Sequence, residues 1–272
     1  MEIRDLIDSA EIKYRRILEE FFSSLWGETT LYSHDINHHR RVWQYVKEIL
    51  LLQPDNADEP EKLLIASYFH DLGMVSEPGF RHGARGRELC VGFLGTRNLF
   101  PDDFADVLEA IEHHDDKEYR NSAVENNRIL KILSAADDLD AFGYSGIYRY
   151  LDIYIARGIS LVNVGHEIRE NANKRFRNFR KGFRKYPEFF SKHRKRYYFL
   201  DSFMSAYNTQ ITDPHPDNSN ENPEYQIVSM VSEMVKRGIN PSGIKELYND
   251  PGIRPGIRYF FDRLDNELNQ HK

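Results

Sequence analysis

The chain has 272 residues, of which 40% are hydrophobic and 29% charged, and a formal net charge of -6 at pH 7. That balance suits an ordinary water-soluble globular protein and excludes disordered, collagenous and coiled-coil readings. No run of 18 apolar residues occurs, the charged start Met1-Glu2-Ile3-Arg4-Asp5 lacks the apolar stretch of a signal peptide, and the lone Cys90 forbids an intrachain disulfide, so the expectation is a cytoplasmic protein that neither enters nor crosses a membrane.

Taken in chain order, the pattern predicts helix after helix. Ile3, Ile7, Ala10, Tyr14, Ile17, Phe21 and Leu25 recur at steps of three and four, one apolar stripe that Gly27 ends. A second helix runs from about Asp35 to Leu52 and is stopped by Pro54. A third has Pro60 in its first turn, carries Leu63, Leu64, Ala66 and Phe69, and is closed by Gly73. Further helices are predicted over about 83–98, 102–114, 126–140, 144–157 and 161–185, and from Pro187 to about Thr209. Residues 213–223, rich in Pro, Asp and Asn, read as a linker. The tail beyond Glu224 reads as two or three short helices with turns at Asn240-Pro241 and Pro251-Gly252. No period-two run of β-branched residues appears, so the fold class is all-α.

Charge is segregated along the chain. Residues 166–198 hold twelve Lys or Arg against three Glu, a local net of +9, which leaves -15 for the remainder. Phe176, Phe179, Phe183, Tyr186 and Phe190 form a core-facing stripe in this segment, while Lys174, Arg175, Arg177, Arg180, Lys181 and Arg184 occupy its other sides. The basic residues read first as a solvated face or a contact between copies in a homo-oligomer, and second as cations that draw anions toward a site. No motif for sequence-specific nucleic-acid reading is present.

Seven of the eleven histidines fall between residues 34 and 114, among the most apolar predicted helices. In Ala66-Ser67-Tyr68-Phe69-His70-Asp71-Leu72-Gly73 an apolar helix ends in two good metal ligands. Adjacent side chains point about 100° apart on a helix, so His70 and Asp71 can reach one ion only from a loosened last turn. Imidazole with carboxylate suits Mn, Fe, Co, Ni or Zn rather than Ca. His38 lies on the preceding helix, with His34 one turn earlier on the same face, a spacing that can also hold a metal, although His34 and His39 read first as a solvated face. Asp137 sits among Ile132, Leu133, Ala136 and Leu139, where a carboxylate is costly to desolvate unless it is capped, paired or on a metal, and Asp138 reads as the solvent-facing acid.

The set His38-x-x-Arg41-Val42, His70-Asp71-Leu72-Gly73 and Ala136-Asp137-Asp138-Leu139-Asp140-Ala141-x-Gly143 resembles the HD phosphohydrolase superfamily over about residues 30 to 160. The resemblance implies a helical bundle around a metal site, with an HD-type domain over 1–210, the linker 211–223 and a helical extension over 224–272. It implies His38, His70, Asp71 and Asp137 as ligands of one divalent ion, with Arg41 reaching toward a phosphate or a ligand carboxylate. The His82-Gly83 start and the pair His113-His114 resemble the branch with extra histidines, in which the added ligands can hold a second metal. Met74 stands where phosphohydrolases with several metals often carry Lys. The activity implied is hydrolysis of a phosphate ester on a nucleotide or other small phosphorylated metabolite. Asp71 would orient the attacking water, His82, His113 or His114 would serve the leaving group, and Arg81 and Arg85 could clamp phosphate oxygens. Two other readings stand beside it, a di-iron oxygenase of the same fold and a non-catalytic, metal-stabilised binding protein.

Overall fold

A computed structural model of the chain describes residues 2–27, 29, 31–53, 59–77, 79, 81–116, 126–212, 223–239 and 252–269. Among these the regular structure is helical, with no strand. The α-helices are α1 (Ile3–Ala10), α2 (Arg16–Trp26), α3 (Ile36–Leu52), α4 (Glu59–Phe69), α5 (His82–Thr96), α6 (Ala105–His113), α7 (Arg128–Asp140), α8 (Gly143–Ala156), α9 (Leu161–Phe183), α10 (Pro187–Thr212), α11 (Pro223–Arg237) and α12 (Pro255–Asn269). The all-α class expected from the pattern is what the structure has. No described helix is long and apolar enough to cross a membrane. The expected turns at 240–241 and 251, and residues 213–222 of the expected linker, lie outside the described residues.

The chain forms two compact units. The first contains residues 1–29 and 34–139; the second contains residues 30–33 and 140–270. The division between these compact units falls at Leu139/Asp140. The reason is apolar burial. α11 carries Ile227, Val228, Val231 and Met234, α12 carries Ile257, Phe260, Phe261 and Leu264, and all are buried. Both helices pack on α8 and so join α8–α10 in one core.

In the first unit the N-terminal stripe departs from simple α periodicity. Residues Glu11–Arg15 form a π-helical turn between α1 and α2. Such a turn inserts one residue. The buried series therefore runs Ile7, Ala10, Tyr14, Leu18, Phe22, Trp26, while the expected Ile17, Phe21 and Leu25 are only half-buried. Glu11 within this turn accepts from the Trp43 indole at 2.6 Å and from Lys47 at 2.8 Å, which ties it to α3.

α3 starts where expected because Asp35 caps it, its carboxylate accepting from the amides of Asn37 at 3.0 Å and His38 at 3.1 Å. α4 is buried along its length and ends at Phe69, four residues before the glycine expected to close it. Gly73 lies inside a following 3-10 turn, Leu72–Val75. Its role is close approach: a Cβ there would overlap the carbonyl oxygen of His82.

In the second unit α9 and α10 pack along their length, joined by the turn at 184–186. Their shared core is aromatic, with Phe176 and Tyr197 stacked face to face at 4.0 Å and Phe179 against Phe189 and Phe190. This is the core-facing stripe expected from the spacing. At the start of α8, Gly143 has φ 78°. The Glu267 carboxylate from α12 accepts from the Ser145 amide at 2.9 Å and hydroxyl at 3.0 Å, and Arg196 donates to the Phe142 carbonyl at 2.8 Å. An anion at a helix N-terminus meets unpaired amides, which fastens the last helix to the middle of the chain.

Glu19 joins three helices of the first unit. It accepts from Arg40 on α3 at 2.7 and 2.9 Å, from the Tyr68 hydroxyl on α4 at 2.9 Å and from Arg15 at 3.2 Å. Burial pushes its carboxyl up, but these donors outweigh it and lower it from 4.5 to about 2. A depressed folded pKa gives stability that is whole above the unfolded value and is lost as pH falls from about 4.5 to about 2. Glu19→Gln should therefore cost about 1–2 kcal/mol at neutral pH, allowing for solvent screening. Thermal melts at successive pH values should show the variant losing less stability than the parent on acidification through that window. Parallel acid profiles would refute the assignment.

Candidate metal centre

Five helices of the first unit bring their ends or faces to one buried point. α3 and the turn before it supply His34 and His38, the end of α4 supplies His70 and Asp71, the start of α5 His82, the end of α6 His114, and α7 Asp137. All seven side chains are buried.

The adjacency of His70 and Asp71 is resolved by the backbone. His70 still makes a helical bond, its amide to the Ala66 carbonyl at 3.0 Å. Asp71, at φ -104° and ψ 1°, has left the helical track. The two side chains can then converge, which consecutive residues inside a helix cannot do.

Asp71 divides its two oxygens. Oδ2 lies 3.2 Å from His38 Nε2, 3.2 Å from His70 Nε2 and 3.5 Å from His34 Nε2. Oδ1 lies 3.0 Å from His114 Nε2 and 3.4 Å from His82 Nε2. Asp137 Oδ1 stands 3.9 Å from His38 Nε2. Two groups of potential ligand atoms result, each within 4.8 Å: His38, His70, Asp71 and Asp137 on one side, and Asp71, His82 and His114 on the other.

The ring orientations are fixed by a repeated device. His70, His82 and His114 each place Nδ1 on the carbonyl three residues earlier, Ser67 at 2.9 Å, Gly79 at 2.7 Å and Ile111 at 2.8 Å. A carbonyl can only accept, so Nδ1 carries a proton and Nε2 is the atom turned toward the cluster. Ligating imidazoles are held this way because it sets tautomer and direction together. His38 and His70 bring Nε2 atoms within 3.0 Å of one another. Nitrogens that close share either a proton or a cation. The donors therefore fit a divalent transition ion.

The electrostatics agree. Burial pushes the Asp71 carboxyl up, but the imidazoles of His70 and His34 and the bonds from His114 and His38 hold it well below the usual carboxylate range. Burial pushes His82 down, yet its bond to Asp71 raises it to about 9. His114 goes the other way, since burial outweighs the same partner.

Other residues singled out by sequence fall elsewhere. His113 is half-buried and lines a groove between α5 and α6 with Arg87, Glu109 and Glu112; a helical step of about 100° separates it from His114. Arg41 is buried on α3 one turn after His38. Arg81 and Arg85 are exposed, and Arg85 bonds Glu88 at 2.7 Å. The solvated face expected for His34 and His39 is absent, because both are buried. His39 packs against Phe22 and Trp26 and bonds the Ser67 carbonyl at 2.9 Å. Asp138 is also buried, not solvent-facing. His34 is instead a neighbour of Asp71, as its position four residues before His38 allowed.

α5 reaches the site through glycines. A Cβ on Gly83 would overlap the Glu112 carbonyl, and one on Gly86 would meet the Phe69 carbonyl at 2.5 Å. Gly92 and Gly95 on the same helix have open space. Gly86→Ala should lower the melting temperature and loosen divalent-metal binding through displaced His82, whereas Gly92→Ala should add about 0.5–1 kcal/mol from helix propensity alone. Calorimetric melts with a metal titration check this contrast, and equal effects at the two positions would contradict it.

A family model, HD-CE, matches residues 18–199. No curated protein and no solved structure matches the chain. The matched span covers more than half of the sequence and contains every residue of both ligand groups. A chain that carries this buried His-Asp cluster within so long a match belongs to the HD-CE family.

Proposed function

We propose that the protein is a metal-dependent phosphohydrolase acting on a nucleotide or another small phosphorylated metabolite. The observation that carries this reading is Asp71, a buried carboxylate with one oxygen toward each of two ligand groups. His38, His70, Asp71 and Asp137 would hold one ion of the Mn, Fe, Co, Ni or Zn type, and Asp71, His82 and His114 a second. Bound ions of this kind polarise a phosphoryl oxygen and bring the pKa of water down toward ~7.

The chain's own groups have distinct tasks in this reading. Asp71, held ionised, accepts a hydrogen bond from the attacking water and orients it. Arg41, buried one turn from His38, adds fixed positive charge that favours an anionic group. With a single ion, His82 is left to give its Nε2 proton to the leaving oxygen; with two, His82 and His114 are ligands instead. His113 has no part, since it faces the groove between α5 and α6.

One alternative has an observation in its favour. Five imidazoles around two carboxylates also suit iron, the setting of a di-iron oxygenase. The test begins with elemental analysis of the purified protein, then a phosphate-release screen and an oxygen electrode with that metal restored. His70→Ala and Asp137→Ala should each abolish metal-dependent phosphate release and weaken metal binding, while far-UV dichroism stays near the parent value. Their melting temperatures should lose the metal-dependent increment, about 2.7 kcal/mol for the parent at a hundredfold excess over Kd. Oxygen uptake with no phosphate release would favour the oxygenase. A bound metal with neither activity would mark a metal-stabilised binding protein.

Ion number has its own readout. His82→Ala/His114→Ala should lower metal content from two per chain to one and leave the His38 group loaded. A parent protein that saturates at one ion removes the dinuclear reading.

A further inference from the structure

The α9–α10 hairpin carries cations in an arrangement that a merely solvated face does not need. Between residues 171 and 187 there are seven Lys or Arg and no Asp or Glu. Four of them, Arg177, Arg180, Lys181 and Arg184, stand at i, i+3, i+4 and i+7, so they share one face of α9. All four are exposed. The opposite face of the helix is the buried series Ala172, Phe176, Phe179 and Phe183. The stripe spans roughly 10 Å, seven residues at the helical rise.

Several other cations of this chain are matched to acids, although, among the described residues, exposed Arg4, Arg81, Arg97 and Arg157 are not. Arg15 pairs with Glu19, Arg16 with Glu20, Lys13 with Glu61, Arg87 with Glu112 and Lys174 with Glu170. Among the described residues, no carboxylate lies within ion-pair distance of Arg177, Arg180, Lys181 or Arg184, nor of Lys195 on α10. An acidic chain, net -6, has concentrated unneutralised positive charge on one helix face. Like charges gathered on a surface repel each other and destabilise the fold, and a polyanion laid along them removes that cost.

We propose that this face of the hairpin binds the backbone of single-stranded nucleic acid. The stripe is linear and lies on a convex helix surface, so it suits an extended chain of phosphates better than a compact ligand, which would meet one or two of the cations. Arginine outnumbers lysine three to one in it, and guanidinium grips phosphate oxygens with two parallel bonds. A ring stands beside it: Tyr198 is 54% exposed and its centroid lies 5.9 Å from that of Phe176, next to Arg177 in sequence. An exposed ring next to a cationic groove or stripe offers a base a stacking surface. A membrane surface fits less well. The other exposed large apolar side chain of the hairpin, Val162, is four turns before the stripe, so nothing beside the cations would insert among lipid chains.

The inference is independent of the metal centre, because binding is read in the presence of chelator and without turnover. Full-length protein would be titrated into fluorescently labelled single-stranded DNA and RNA and into a duplex, followed by anisotropy from ~50 to ~200 mM salt. Vesicles of anionic phospholipid and poly-glutamate serve as the other polyanions. Single strands should bind tightest, and the affinity should fall with salt at a logarithmic slope of about -3, for about four contacts at ~0.7 each. Arg177→Glu/Arg180→Glu/Arg184→Glu should weaken binding at least tenfold and flatten that slope, with dichroism and melting temperature unchanged. The milder Lys181→Gln/Arg184→Gln should flatten it by about 1–2, so the result does not hang on the fold of the triple variant. Tyr198→Ala should lower affinity for single strands more than for the duplex. No oligonucleotide binding at the lowest salt, tighter binding to vesicles or poly-glutamate, or a triple variant with the parent's affinity and slope would each overturn the proposal.

Discussion

A buried carboxylate without compensating charge is among the most expensive things a protein interior can hold. Asp71 is such a group, and the first unit is arranged around it. Five imidazole nitrogens lie within 3.5 Å of its two oxygens. Those rings outweigh the effect of burial, and the carboxyl stays ionised. One positive charge comes from His82, raised to about 9 by its bond to Asp71. The remaining rings are buried, and His114 is pushed toward the neutral form. Two buried carboxylates share this centre, Asp71 and Asp137, so a divalent ion would meet more negative charge than one imidazolium balances.

The ligands sit at helix ends, and that placement has a physical reason. Inside a helix every carbonyl is already used, so a histidine there has no local acceptor for Nδ1. At or just past an end, the carbonyl three residues back is within reach. His70, His82 and His114 all use it, through Ser67, Gly79 and Ile111. The same stretch of backbone therefore ends the helix, fixes the tautomer and aims the ring. His39 shows the contrast. It lies within α3, borrows the Ser67 carbonyl from another helix, and turns its Nε2 away from the cluster into an aromatic pocket.

How far the sequence could be read follows from which forces are local. Helix periodicity is local, so the order of helices from α3 to α10 is legible, as is the cap at Asp35. The pairing of His70 with Asp71 is legible because an apolar helix that ends on two ligand residues has few other uses. The π turn at Glu11–Arg15 is not, because one added residue leaves the steps of three and four intact while moving the buried series to Leu18, Phe22 and Trp26. Burial of His34, His39 and Asp138 is not legible either, since each lies beside residues that are charged in sequence but turn to other partners in space. The choice between His113 and His114 depends on the last few degrees of helix α6, which no spacing rule supplies. The packing of α11 and α12 onto α8 is not legible from spacing, because their apolar faces, not the polar stretch near 213, decide where those helices go.

α5 shows how function and stability pull on the same residues. Four glycines in fifteen positions make a poor helix, at roughly 1 kcal/mol each against alanine. Two of them are unavoidable once His82 must reach Asp71, because Gly83 and Gly86 lie where the backbones of α6 and the α4 end leave no room for a methyl group. The helix is then held less by its own propensity than by what it touches, the backbone of its neighbours on one side and the shared carboxylate on the other. The same logic extends across the unit. Its ligands are separated by as much as the interval from His34 to Asp137, so a bound ion closes long loops of chain at one point. Binding energy at that point is folding energy for every helix that contributes a ligand. The poor helix and the buried acids are each destabilising alone, and a bound cation would offset both. A metal bound there would thus stabilise this unit whatever chemistry it served.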